Sequence, residues 1–117
     1  MTAPDLSLET VADLDAALAD PSPLMIFKHS TACPVSAHAL GEFEAWLAAK
    51  GPAPRTALVR VIEERPVSNE IAARLQVRHQ SPQAILVAAG SSLWDASHDR
   101  VNVDSLTAAA AEAGADA

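Results

Sequence analysis

A chain of 117 residues, half of them apolar, is the right size for one domain with one compact core, so residues 1–117 are expected to form a single domain. The net charge of −7, with no cluster of Lys and Arg, argues against binding nucleic acid or anionic lipid and leaves small molecules and proteins as partners. The apolar runs fall far short of the ~20 residues that span a bilayer, and residues 1–20 lack a basic start followed by an apolar stretch, so the expected location is the cytoplasm, away from any membrane.

Taken in chain order, Leu8, Val11, Leu14 and Leu18 recur at helical intervals after Ser7, a candidate N-cap, and Asp20-Pro21-Ser22-Pro23 stops the pattern. Leu24-Met25-Ile26-Phe27, bounded by prolines and a polar cluster and ending at Lys28, reads as a central strand buried on both faces. Pro34 can occupy a first helical turn, after which Val35, Ala39, Leu40, Phe43, Trp46 and Leu47 form an apolar stripe up to Lys50-Gly51-Pro52. Residues 57–62, Ala-Leu-Val-Arg-Val-Ile, are rich in β-branched side chains and predict a second inner strand. Ser68 can cap a short helix carrying Ile71, Ala72 and Leu75, and Ser81-Pro82 precedes a further apolar strand at residues 84–87. A turn over Ala89-Gly90-Ser91-Ser92 sends residues 93–97 back as an antiparallel edge strand. Val103, Leu106 and Ala110 then predict a last helix fading at Gly114. The order αβαβαββα implies an α/β domain: a mixed sheet of about four strands with helices on both faces, resembling the thioredoxin-like fold.

The chemistry concentrates at Lys28-His29-Ser30-Thr31-Ala32-Cys33-Pro34-Val35-Ser36, where a buried strand hands over to the longest helix. Cys33 is the only cysteine, which excludes an internal disulfide and a multi-cysteine zinc site and leaves a structural thiol or a reactive one. Its place at a helix entrance favours reactivity, because unpaired first-turn N–H groups and the positive end of the helix dipole favour a thiolate over a thiol. Lys28 and His29 are expected to add positive potential. Ser36 stands where a C-x-x-C enzyme carries its resolving cysteine, so Cys33, once joined to a small thiol, must be released by an outside thiol. Ser81-Pro82 is the second element. Thioredoxin-like folds place a cis-proline loop beside the reactive cysteine, where the backbone of residue 81 would pair with the cysteinyl part of a bound thiol. Whether this bond is cis or trans is not written in the sequence.

The blocks Phe27-Lys28-His29-Ser30-Thr31-x-Cys33-Pro34-Val35-Ser36, Arg65-Pro66-Val67-Ser68-Asn69, Val77-Arg78-His79-Gln80-Ser81-Pro82-Gln83 and Trp94-x-x-Ser97-His98 span most of the chain. In that order they resemble the monothiol bacilliredoxin-like proteins of the bacillithiol system, the YtxJ-like family of the thioredoxin superfamily. The resemblance implies an oxidoreductase in which Cys33 attacks the mixed disulfide of a bacillithiolated protein, frees that protein's thiol and carries bacillithiol until a second thiol restores it. Bacillithiol would then be a co-substrate and no cofactor would be permanently bound. The implied thiol-binding set is Thr31, Ala32, Pro34, Ser36, Ser81 and Pro82, with Lys28 and Arg78, and His79 after them, as a basic rim for the carboxylates of bacillithiol's malate-linked glucosamine. The implied partners are bacillithiol and bacillithiolated proteins, met by a monomer.

Taken without the resemblance, Lys28, His29, Arg78 and His79 each read as solvated surface, Ser36 as an ordinary helical serine, and His38 as structural or solvated. Trp46 and Trp94 read as packing residues, and the polar stretch 99–103 leaves the role of His98 open. No His pair has the spacing to join Cys33 in a local metal site. The alternative is a monothiol-glutaredoxin-like module that binds an iron–sulfur cluster or a thiol without turnover. Against that alternative, this chain lacks the phenylalanine of the glutaredoxins' C-G-F-S motif, and Ala88-Ala89-Gly90 stands where their double glycine follows the third strand.

Overall fold

The computed structural model describes residues 3–116. Its elements are β1 (Leu6–Ser7), α1 (Val11–Ala19), β2 (Leu24–His29), α2 (Pro34–Ala49), β3 (Arg55–Arg60), α3 (Arg65–Leu75), β4 (Gln83–Ala88), β5 (Ser91–Ser97), a 3₁₀ turn (His98–Arg100) and α4 (Val103–Asp116). The five strands form one mixed sheet in the order β1-β3-β2-β4-β5, with β1, β3 and β2 parallel and β4 and β5 antiparallel additions. The fold is thioredoxin-like, as the alternation of periods predicts, with one strand more than the sequence pattern shows.

Side-chain alternation along β2 organises the two faces. Leu24 and Ile26 join Leu14, Ala57, Val59, Ile71 and Ile85 under α1 and α3, whereas Met25 and Phe27 join Phe43, Trp46, Leu86 and Leu106 under α2 and α4. All of these are buried, at about 1.5–3 kcal/mol for each large side chain fully removed from water. The same parity carries the last two residues of β2 apart. Lys28 turns toward α3 and donates to the carbonyl of Ser68 at 3.4 Å, and His29 turns toward α2, with Nδ1 2.9 Å from Ser36 Oγ.

Several local expectations are corrected. Helix α1 is capped by Thr10, not Ser7: its Oγ1 accepts from the Asp13 N–H while Asp13 reaches back to the Thr10 N–H, and Ser7 belongs to β1. Strand β3 lies two residues earlier than 57–62, leaving Ile62 exposed. Ser68 lies inside α3, whose N-cap is Glu64, and Val35 is 47 % exposed, outside the buried stripe of α2. The β4–β5 turn uses only Ala89 and Gly90, with φ of 52° and 78°, the paired positive values of a tight hairpin turn; Ser91 and Ser92 are already strand. Helix α4 continues through Gly114 to Asp116. No helix among the described residues is long and apolar enough to cross a membrane.

Candidate active site

Cys33 is the N-cap of α2, with φ −117° and ψ 123°, Pro34 following at the first helical position and no side-chain cap bond. Proline is accommodated here because the first-turn N–H it lacks has no intrahelical partner in any case. The sulfur-bearing residue is partly exposed, unlike a core thiol. Its N–H bonds the Ser30 carbonyl at 3.3 Å and its carbonyl takes the Ala37 N–H at 3.1 Å, so the turn over residues 30–33 is tied to both the strand end and the helix.

Ser36 gives this turn its main tether. It is fully buried at the third helical position, from which a side chain folds back over the N-cap, and its Oγ accepts the Ser30 N–H at 2.8 Å while facing His29 Nδ1 at 2.9 Å. The reading of Ser36 as an ordinary helical serine misses this. The signal was the combination of His29's strand parity with the third helical position of Ser36. His29 is half-buried and its ring stacks on Phe27 at 6.0 Å. Burial pushes its pKa below the ordinary imidazole value, against the opposing pull of Glu63, the hydrogen bond to Ser36 and Glu44. Thr31 and Ala32 are exposed at the crest, where Thr31 Oγ1 donates to Glu63 Oε2 at 3.2 Å, and Pro34 is exposed beside them.

The register sets the second half of the site. Lys28 pairs with Gln83, so the turn after β2 and the loop before β4 lie at the same end of the sheet. The Ser81–Pro82 peptide is cis. Pro82 is buried, its carbonyl accepts the His98 N–H at 2.9 Å, and Ser81 is partly exposed with its hydroxyl turned inward. His98 contributes this backbone bond from a left-handed conformation, φ 58°, with its side chain exposed. Gln83, which carried no role in the sequence reading, is buried and braces the loop: Nε2 donates to the Arg78 carbonyl at 3.1 Å and Oε1 accepts the Gln80 N–H at 3.3 Å.

The expected basic rim divides. Arg78 is exposed, and its guanidinium makes no ion pair among the described residues. His79 is exposed with Nδ1 3.5 Å from Ser68 Oγ, and partial burial, then the charges of Lys28 and Arg65, lower its pKa. Lys28 is not on the rim. It is fully buried, and desolvation brings its pKa down to about 8. His38 is exposed; Trp46 is buried, and Trp94 packs against the α2–α4 core. Among the described residues no three His, Cys, Asp or Glu side chains converge as a metal site.

The family model for the monothiol bacilliredoxin BrxC matches residues 6–106 of the chain. Among solved structures, a thioredoxin-fold protein with a suggested oxidoreductase role is similar at 30 % identity, TM-score 0.80, over 89 % of this chain and 91 % of the other. Thioredoxins from Malassezia sympodialis (14 % identity, TM-score 0.74, 96 % and 91 % of the two chains) and Fasciola hepatica (18 %, 0.73, 91 % and 96 %) share the fold.

Proposed function

The chain belongs to the monothiol bacilliredoxin family, and from that membership we propose that it is a cytoplasmic, monomeric thiol–disulfide oxidoreductase that removes bacillithiol from mixed disulfides on proteins. The single observation that carries this reading is a partly exposed Cys33 capping α2, with Ser36 in place of a resolving thiol. In the reaction the Cys33 thiolate attacks the bacillithiol sulfur of the client's mixed disulfide. A new S–S bond forms to Cys33, the old one breaks, and the client leaves as a thiolate that takes up a proton. With no second cysteine in the chain, a further thiol must attack the resulting adduct to restore Cys33. Bacillithiol is thus a co-substrate, and no resident cofactor is required.

In this reading Ser81 presents its backbone to the cysteinyl part of the bound thiol, Pro82 fixes the loop, and Thr31, Ala32 and Pro34 line the entry. Arg78 meets the carboxylates as an exposed, unpaired guanidinium suited to bidentate contact. Lys28 and Ser36 support the two loops from beneath. The test incubates a bacillithiolated client with wild type and with Cys33→Ala. Wild type should release the client thiol and gain the mass of one bacillithiol. Equal release by both proteins would sink the reading.

A further inference from the structure

Helix α3 begins at Arg65, on the side of the sheet where Lys28 and the loop over residues 78–82 meet. The loop is fixed to this helix: Ser68 Oγ lies 3.5 Å from His79 Nδ1, and the Ser68 carbonyl accepts from the Lys28 ammonium at 3.4 Å. Arg65 stands three residues before Ser68, one turn back along α3, and its charge reaches His79. The carboxylates near the start of α3 serve other partners. Glu63 takes the Thr31 hydroxyl proton, Glu64 is paired with Arg60, and Glu70 with Arg74. Arg65 and Arg78 are exposed and make no ion pair among the described residues, whereas Arg55, Arg60 and Arg74 all do. A chain with a net charge of −7 thus gathers two guanidiniums and a buried ammonium on one flank of the Ser81–Pro82 loop without a carboxylate to balance them. His79 registers that potential: after burial, the charges of Lys28 and Arg65 lower its pKa.

We propose that Arg65 is a specificity-determining residue that, with Arg78, holds the two carboxylates of a dicarboxylate-bearing low-molecular-weight thiol bound at the Ser81–Pro82 loop. The inference deepens the reading of Cys33 as the acceptor of bacillithiol and rests on it. Unbalanced cations repel one another, and an anion placed among them relieves that repulsion in addition to forming its own bonds. The guanidinium N–H groups form a planar fork that meets a carboxylate with two parallel bonds, so two arginines suit two carboxylates, one each. With Nδ1 turned to Ser68, the exposed His79 ring carries Nε2 on its far side, as a further donor to the same ligand. Lys28, sealed beneath, adds charge without contact. A thiol with no carboxylate keeps the reaction at Cys33 and gains nothing from this flank, so selection acts on the ligand's charged arm and not on its sulfur.

The experiment follows release of one client protein from two mixed disulfides, with bacillithiol and with mercaptoethanol, by wild type, Arg65→Gln and Arg65→Lys. Arg65→Gln should raise the KM for the bacillithiolated client about tenfold with kcat little changed, and leave the KM for the mercaptoethanol-linked client at the wild-type value. Arg65→Lys should recover part of the loss, because an ammonium keeps the charge but not the fork. A KM raised equally for both clients, or for neither, overturns the proposal. A second measurement needs no client. The Cys33 thiolate attacks oxidised bacillithiol, a symmetrical disulfide, keeps one half as an adduct and releases the other as a thiolate. The charged groups of the protein that act on His79 are Lys28 from β2 and Arg65 from α3, and both disfavour its imidazolium. Carboxylates held beside the ring oppose them, so the His79 imidazole, followed by NMR, should keep its proton to higher pH in this adduct than in the one made with hydroxyethyl disulfide. Identical titrations in the two adducts overturn the proposal. A protein that shows this difference yet frees no client thiol refutes the proposed function alone.

Discussion

Lys28 is the residue whose environment departs most from its type. An ammonium with three donors is enclosed with one long bond, to the Ser68 carbonyl, and makes no ion pair among the described residues. Its ordinary value of 10.5 falls to about 8, because desolvation disfavours the charged form. Below pH 8 folded and unfolded chains both carry the proton, and the fold bears the whole penalty, about 3 kcal/mol for a shift of that size. Between about 8 and 10.5 the unfolded chain binds more protons, so stability from this group rises with pH. Lys28→Met, which keeps the buried stem without the charge, should therefore stabilise the protein by about 2–3 kcal/mol at pH 7 and by progressively less toward pH 10. Urea denaturation at the two pH values checks this; an equal gain at both would place the cause in packing.

At the scale of elements, the loop over residues 78–82 is held from both sides. Gln83 bonds two of its backbone groups, and the His98 N–H takes the Pro82 carbonyl. Gln83→Ala removes both side-chain bonds and leaves a space beside the buried Lys28. It should cost about 1–3 kcal/mol in stability and raise the KM for a mixed disulfide more than it lowers kcat, while iodoacetamide still alkylates Cys33 at the wild-type rate. A lowered alkylation rate would show that the brace reaches the cysteine turn as well. The start of β3 rests on similar polar pairing. Thr56 is buried against Asp5, which accepts both its N–H and its hydroxyl proton, and the Arg55 guanidinium donates to the carbonyls of Ala17 and Ser22. These partners draw the strand two residues earlier than its β-branched run indicates.

For the whole molecule, the sheet separates two cores, and the one under α1 and α3 depends on the first residues of the chain. Leu8 is 1 % exposed within that cluster, and its N–H bonds the Leu58 carbonyl beside β1. Leu8→Ala should cost about 2–5 kcal/mol, seen as a lower denaturation midpoint with an unchanged slope. A change in slope would mean that this edge opens separately. The sequence by itself determined the alternation of strand and helix, the long helix entered through Pro34, the single thiol at its start and the Ser81-Pro82 loop ahead of β4. Each of these is written in a local period or in the chemistry of adjacent residues. Only the tertiary structure decided that Leu6 and Ser7 form a strand, that Lys28 is buried, that Ser36 joins Ser30 to His29 and that Gln83 braces its loop. Two residues carry no period, and a polar side chain's role depends on partners from other turns and strands, which packing alone brings within bonding distance.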